Sequence, residues 1–271
     1  MGLKEKYGGK ALVAGASEGI GAAFAEFLAS EGIDLILIAR REGPLHQLGD
    51  TLANKYGVVV KCIPCDLAGE DAPMAIEKEL TGQEIGIMVY NAALSYIGPF
   101  TQDTPANQSR AVQVNIATPL MLVRHFGEEM LVRGRGAIIL MTSMAGLQGS
   151  GFLSLYAAGK AFSRILAESL WYEWKNQGVD IIGCCAGATS TPGYINSRPA
   201  KTSLLSPAVL RPEQVAVECF KRLGRQPSFI TGRSNRIASF FMHRFIPLKT
   251  AVNIMGDTTR KMFGIDDQRS G

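Results

Sequence analysis

Apolar runs of strand length alternate with helical patterns along almost the whole chain, and this alternation limits the fold more than any other feature. Strand-like runs fall at 10–14, 34–39, 58–64, 85–90, 136–141, 179–184 and 228–231. Helical periodicity occupies 19–31, 42–56, 71–80, 105–132, 155–176 and 212–223. The run Asp34-Leu35-Ile36-Leu37-Ile38-Ala39 is apolar at successive positions, the mark of a strand buried on both faces. Strands of that kind, each followed by a helix, form a parallel sheet covered on both sides. Right-handed crossovers then give an α/β, doubly wound Rossmann fold with a parallel sheet of about seven strands. No internal repeat or low-complexity linker divides the chain, so 1–271 is expected to be a single domain.

Bulk properties exclude several classes. With 46% hydrophobic and 19% charged residues the chain is ordinary for a globular protein. No apolar run reaches the roughly 18 residues of a membrane helix. The first ten residues are polar and lack a signal-peptide hydrophobic region, which predicts a cytoplasmic protein. The net charge of +4 is uneven: Arg233, Arg236, Arg244, Lys249, Arg260 and Lys261 face only Asp257 between 233 and 263, leaving −1 elsewhere. A nucleic-acid partner therefore gains no support. Five cysteines without a secretion signal suit reduced thiols. Cys62-x-x-Cys65 ends a strand rather than opening a helix, so strand packing is expected over redox chemistry, and Cys184-Cys185 reads likewise. His46, His125 and His243 have no metal-ligand spacing, and no metal is expected.

The first strand runs into Gly15-Ala16-Ser17-Glu18-Gly19-Ile20-Gly21, which opens a helix. Glycines allow a tight turn and close backbone approach, and the helix start offers free N–H groups to an anion. That placement makes the loop a phosphate site of a dinucleotide enzyme. The same letters spell Gly15-x-Ser17-x-Gly19, a nucleophile-elbow pattern that would make Ser17 a hydrolase nucleophile with, for instance, His243. An elbow rises from a sheet built by earlier strands, and only one short strand precedes it here. The second strand ends in Arg40-Arg41 with no acid at its tip, which suits the 2′-phosphate of NADP over the ribose of NAD. Glu18 would repel a phosphate. Asp66-Leu67 follows the third strand, where the acid can meet the adenine amino group or form an Asx turn before Ala68. Asn91 follows the fourth and can bond backbone or the ribose side of the cofactor.

Tyr156 and Lys160 share a helix face at i and i+4, and Ser143 stands thirteen residues before the tyrosine. An ammonium beside the phenol is expected to lower a pKa that is ordinarily about 10 and make the phenol a proton donor or acceptor. Ser143 would hydrogen-bond and orient the reacting oxygen. The sequence thus reads as a site where a hydride moves to or from a carbonyl carbon while Tyr156 moves the proton.

These residues resemble the short-chain dehydrogenase/reductase family over about 10–231. The family's glycine motif corresponds to Gly15, Gly19 and Gly21, its Asn-Asn-Ala-Gly to Tyr90-Asn91-Ala92-Ala93, its helix asparagine to Asn115, its serine to Ser143 and its Tyr-x-x-x-Lys to Tyr156 and Lys160. Departures are Ala14 for a threonine, Ala93 for a glycine, and Ala186-Gly187 for Pro-Gly. The resemblance implies that Asn115, Ser143, Tyr156 and Lys160 are catalytic, with Asn115 interrupting the hydrogen bonding of its helix and supporting a water chain to Lys160. It also implies that Lys160 holds the cofactor ribose and that Thr189 and Thr191 reach the nicotinamide amide or phosphates. Ser17, Glu18, Ile20 and Leu67 complete the expected cofactor contacts. Within the family, Ala16-Ser17-Glu18, Arg40-Arg41-Glu42 and Asp103-Thr104-Pro105 are similar to bacterial hydroxysteroid dehydrogenases of the 7β type, which use NADP despite the loop glutamate. The 3-oxoacyl and general ketone reductases remain close, and a cofactor-sensing protein on the same fold is a different class again.

The expected substrate walls are 94–100, 144–155 and 191–206, carrying Tyr96, Ile97, Phe100, Leu147, Phe152, Leu153, Tyr194 and Leu204, with Arg198 and Lys201 the only nearby cations and 191–206 a lid. This lining suits a bulky apolar ketone or alcohol. The extension 235–271 carries Phe240, Phe241, Phe245 and Ile246 before Pro247, which should interrupt a helix. Covering the cleft or packing on a second subunit is favoured for it over contact with a membrane surface. The resemblance implies a homodimer or homotetramer through the helices of Asn115 and Tyr156, with Phe162, Ile165, Leu166, Leu170 and Trp171 as the apolar face.

Overall fold

A computed structural model of the chain describes residues 2–196 and 209–265. Seven strands make one wholly parallel sheet: β1 (Lys10–Ala14), β2 (Asp34–Ala39), β3 (Val60–Pro64), β4 (Ile87–Tyr90), β5 (Gly136–Ser143), β6 (Val179–Ala186) and β7 (Ser228–Ile230). Helices in the described residues are α1 (Leu3–Tyr7), α2 (Gly19–Ser30), α3 (Glu42–Tyr56), α4 (Ala72–Glu79), α5 (Pro105–Val112), α6 (Thr118–Arg133), α7 (Ser154–Trp174), α8 (Pro192–Asn196), α9 (Pro212–Arg222), α10 (Arg233–Phe245) and α11 (Leu248–Phe263). The sheet order is β3-β2-β1-β4-β5-β6-β7. It reverses between β1 and β4, so a crevice opens beyond the carboxyl ends of these two strands.

The unbroken apolarity of the strands follows from burial on both faces. Val13, Leu37, Val89, Ile139 and Ile182 enter one core, and their neighbours Leu12, Ile36, Met88, Ile138 and Ile181 enter the other. Each such side chain contributes roughly 1.5–3 kcal/mol relative to exposure. In the first core Phe220 of α9 stacks on Phe27 at 4.6 Å and meets Phe24 edge-on at 5.7 Å, locking α2 to α9. Because α2 begins at the crevice, this packing holds its first turn in place.

Several boundaries differ from expectation for identifiable reasons. Strand β3 starts at Val60 and not at 58, because the Val59 N–H donates to the Asp34 carboxylate at 2.9 Å and its side chain is exposed. Strands β5 and β6 each run two residues past the expected end, pairing Thr142 with Cys185 and Ser143 with Ala186; polar Thr142 and Ser143 end the apolar signal before the ladder ends. The single helix expected over 105–132 is two helices joined by a π-helical turn, Gln113–Ala117. The short helix α1 was not anticipated from its polar letters; the Tyr7 hydroxyl and Lys6 fasten it to Asp180 at 2.7 Å each.

Pro247 separates α10 from α11 as its ring geometry requires. Ala251 and Thr259 of α11 are buried, whereas Phe240, Phe241, Phe245 and Leu248 are exposed. Of the apolar face expected on α7, Leu166, Leu170 and Trp171 pack inward on the second core, leaving Ile165 and Tyr172 as its exposed large residues. The expected lid is described only as far as Asn196; Arg198, Lys201 and Leu204 lie outside the described residues.

Candidate active site

The floor of the crevice is bare main chain. Gly15 adopts φ +79°, and a Cβ there would stand 2.7 Å from the Ala92 nitrogen, so the loops after β1 and β4 touch backbone to backbone. A methyl at Gly21 would overlap the Gly15 carbonyl oxygen, which also accepts from Asn91 Nδ2 at 2.9 Å. Asn91 thus makes the backbone bond, one of its two expected roles, and it also lines the cleft. No side chain caps the start of α2, so its first N–H groups face the crevice. A cleft of about 370 Å³ lies over this floor, lined by Gly15, Ser17, Glu18, Gly19, Ile20, Arg40, Arg41, Asp66, Leu67, Asn91 and Thr191. Gly21 lies behind the loop, and Thr189 is buried with its hydroxyl donating to the Gly187 carbonyl at 3.0 Å. A bare floor meeting an uncapped helix start fits the phosphates of a dinucleotide.

The outer end of the cleft is set by exposed ion pairs. Arg41 donates to Glu18 at 2.6 Å, with both side chains about half exposed, so the repulsion expected of Glu18 is offset by a neighbouring cation. Asp66 forms the Asx turn, accepting from Ala68 N at 3.1 Å, and pairs with Arg110 at 2.8 Å. The Arg110 hydrogen bond holds the Asp66 carboxyl below the usual carboxylate range, with Arg40 adding a weaker pull. Arg110 lines the cleft from α5. Sequence reasoning missed it because a cation mid-helix, 44 residues from Asp66, has no local signature.

The inner end joins β5 to α7. Ser143, at the end of β5, lies close enough to the Tyr156 phenol, on the first turn of α7, to exert a lowering pull on its pKa. Lys160 is buried; its Nζ stands 5.8 Å from the Tyr156 ring centroid and donates to the Met141 carbonyl at 2.7 Å. Burial pushes the Tyr156 pKa up, outweighing that pull from Ser143. The expected lowering by Lys160 is thus reversed in the protein alone, because i,i+4 spacing reports the neighbouring charge but not the loss of water. Burial lowers Lys160 to about 8.

Asn115 sits on the π-helical turn, where its Oδ1 accepts from Leu94 N at 3.0 Å and its Nδ2 donates to Leu94 O at 2.7 Å. A Cβ at Gly159 would reach within 2.8 Å of the Asn115 Cβ, so the glycine beside Lys160 lets α7 close on that turn. Buried Tyr90 donates its hydroxyl to the Val114 carbonyl at 2.6 Å, anchoring the turn from β4. Its presence where the family has asparagine was the available signal.

Two alternative readings lose their geometry. His243 lies on α10, bonded to the Ser239 carbonyl at 2.8 Å, and lines a cavity separate from that of Ser17, so the hydrolase pairing does not form. Cys62 and Cys65 are free thiols whose pKa values burial pushes up, which agrees with strand packing.

The loop before α7 carries Phe152 at φ +65°, the one non-glycine residue with positive φ among the described residues. Its carbonyl accepts from Gly98 N at 3.0 Å, tying the loop before α7 to the loop after β4. A left-handed aromatic residue stores roughly 1–2 kcal/mol.

Residues 9–202 match the family model for short chain dehydrogenase. The chain is 34% identical over 239 residues to a 7beta-hydroxysteroid dehydrogenase of Mediterraneibacter gnavus, covering 87% of this chain and 90% of that enzyme. A solved structure of a 7beta-hydroxysteroid dehydrogenase superposes with a TM-score of 0.90 at 30% identity, covering 94% of this chain and 99% of that one. A short-chain dehydrogenase from Sphingobium yanoikuyae in complex with NADPH superposes with a TM-score of 0.73 at 26% identity, covering 97% and 98%. One family match spans the bare-floored loop, the serine and the Tyr-x-x-x-Lys pair, and its enzymes interconvert CH–OH and C=O groups with a nicotinamide cofactor: the chain belongs to the short-chain dehydrogenase/reductase family.

Proposed function

We propose that the protein is an NADP-dependent oxidoreductase interconverting a ketone and a secondary alcohol on a bulky apolar substrate, with Tyr156 as proton donor and acceptor. The observation that carries this reading is buried Lys160 with its Nζ 5.8 Å from the Tyr156 ring centroid, beside the π-helical turn that the Asn115–Leu94 hydrogen bonds join to the dinucleotide cleft. When bound, the nicotinamide supplies or accepts the hydride. Burial keeps the Tyr156 phenol protonated, ready to donate as negative charge develops on a carbonyl oxygen. Ser143 donates to that oxygen and fixes its position. Lys160, charged below about pH 8, holds the cofactor ribose and stabilises the phenolate left behind. Asn115 keeps the loop at Leu94 and the α7 approach in register.

NADP is favoured over NAD by Arg40 and Arg41 at the tip of β2, with Glu18 already engaged by Arg41. Thr191 lines the cleft, where its hydroxyl would reach the nicotinamide amide or the phosphates. Of the expected substrate walls, Tyr96, Ile97, Phe100, Phe152, Leu153 and Tyr194 lie in the described residues and none is ionic, whereas Leu147 lines the separate cavity of His243. A hydroxysteroid-like polycycle is preferred, given the relatives; a 3-oxoacyl thioester or general carbonyl compound is the second reading. The chain acts as one cytoplasmic catalytic unit that self-associates as a dimer or tetramer, a role supported by exposed Leu120, Met121, Ile165 and Tyr172 on α6 and α7. Contact of the tail with a membrane is the less favoured use of its exposed aromatic residues.

Titration with NADPH and with NADH, followed by turnover of a ketone panel, tests the reading. NADPH preference and reduction of polycyclic ketones are expected. NADH preference would overturn the cofactor assignment, and binding without turnover of any ketone would make the protein a cofactor sensor.

A further inference from the structure

Helix α11 meets the catalytic loop glycine to glycine at one point. The loop 148–153 runs from the turn after Ser143 to the first turn of α7, which carries Tyr156. Its base is pinned: the buried Ser150 hydroxyl donates to the Ala145 carbonyl at 3.0 Å, and Leu153 N donates to the Ser150 carbonyl at 3.2 Å. Its outer edge abuts α11. A Cβ on Gly151 would stand 3.2 Å from the Gly256 Cα, and one on Gly149 would stand 3.4 Å from Val252 Cγ2. The reverse distance, from a Cβ on Gly256 to the Gly151 Cα, is 3.9 Å. Gly256 is interior to α11, where glycine is the least favoured residue apart from proline. A glycine that weakens its own helix at the point of closest approach suits a contact that main chain alone can make. Phe152, in its left-handed conformation, follows directly, and its carbonyl carries the link on to Gly98 and the opposite wall.

We infer that α11 is a specificity-determining element: through the Gly151–Gly256 contact it fixes the position of Phe152, and thereby the width of the cleft for a bulky substrate. Gly151 and Gly256 are positioning residues, acting through Phe152 and the Phe152–Gly98 bond and touching no reacting atom. This rests on the reductase reading for its kinetic consequence and on geometry alone for the contact. The asymmetry of the two distances sets the outcome of substitution. Alanine fits at 256, whereas a side chain of leucine size meets the main chain of the loop, which has no flexible end to yield.

The test uses the full-length protein with Gly256→Ala and Gly256→Leu. Two steady-state readouts are taken, with a polycyclic ketone and with cyclohexanone, alongside NADPH affinity and deuterium exchange of 144–155. Gly256→Leu is expected to raise KM for the polycyclic ketone about tenfold or more, with kcat/KM for cyclohexanone and NADPH affinity within about twofold, a factor small against an ordinary binding contact. Exchange in 148–153 should rise while that of β5 stays constant. Gly256→Ala should keep the parent KM and raise Tm by about 2–4 °C through helix propensity. Equal losses on both ketones and on NADPH would show a general packing defect and overturn the inference. Unchanged exchange in 148–153 with Gly256→Leu would overturn the contact itself. Should the parent protein reduce neither ketone, the reductase reading falls, and the exchange measurement still decides the coupling.

Discussion

The two ends of the cleft handle charge in opposite ways. At the outer end Arg41 with Glu18 and Arg110 with Asp66 stand in water, paired at 2.6 and 2.8 Å across side chains roughly half exposed, and Arg40 lines the cleft beside them. At the inner end Lys160 and Tyr156 lose most of their water, and each moves toward its neutral form. Exposed pairs contribute only about 0–1 kcal/mol each and weaken with salt. A buried charge is unscreened and reports every change around it. The outer end therefore suits recognition that tolerates substitution, and the inner end suits chemistry that does not.

Replacing Tyr156 with Phe gives the largest expected effect and strains that contrast most. Turnover should fall by about 10²–10⁴-fold, with NADPH affinity changing little; retained turnover would remove the tyrosine from the mechanism. Next is the double substitution of Arg40 and Arg41 by Ala. It should weaken NADPH binding by about 10–100-fold, leave NADH binding nearly unchanged, and abolish most of the salt dependence of NADPH affinity. An equal loss for both cofactors would show that these arginines hold the loop and not the 2′-phosphate.

The inner end has a pH signature. Lys160 carries its proton below about pH 8 and loses it above, so a charge-assisted contact with the cofactor is present on the acid side and lost on the alkaline side. NADPH affinity measured by fluorescence should drop about tenfold between pH 7 and 9.5, the size of one charged hydrogen bond. Lys160→Met should bind weakly at every pH and show no such step. A step that persists in Lys160→Met would assign the titration to another group. The smallest effect is expected at Tyr90→Phe, which leaves the buried Val114 carbonyl without its 2.6 Å partner. Stability should fall by about 1–3 kcal/mol, and kcat should fall more than KM rises, because the π-helical turn of Asn115 loosens while the walls stay. A pure stability loss would make Tyr90 structural alone.

What the sequence disclosed divides along the same line. The strand 34–39 and the helix 42–56 were legible to the residue, because long unbroken apolar or periodic patterns are local. The bare floor was legible because Gly15, Gly19 and Gly21 have a fixed spacing dictated by the turn. The π-helical turn at 113–117 left no mark on periodicity, since it is a one-residue change of hydrogen-bond register; only the family resemblance implied an interruption there, at Asn115. The rise in the Tyr156 pKa was hidden because burial belongs to the assembled protein. Arg110 and the approach of Gly256 to Gly151 join segments distant in sequence, which no local pattern records, and at Tyr90 the departure from the family motif marked the position but not its partner.

The reversal of strand order between β1 and β4 has a consequence for how the protein is made. Pairing Ala11 with Leu35 closes a short stretch of chain, whereas pairing Ala11 with Ile87 must first enclose β2 and β3. Long-range parallel pairing is the slow, entropically opposed part of folding. The crevice is the seam along which those two half-sheets join, so a nascent or partly unfolded chain has no site to offer. Cofactor binds only the joined state and stabilises it by mass action. Saturating dinucleotide should accordingly protect the seam from proteolysis, with β1 and β4 gaining protection together.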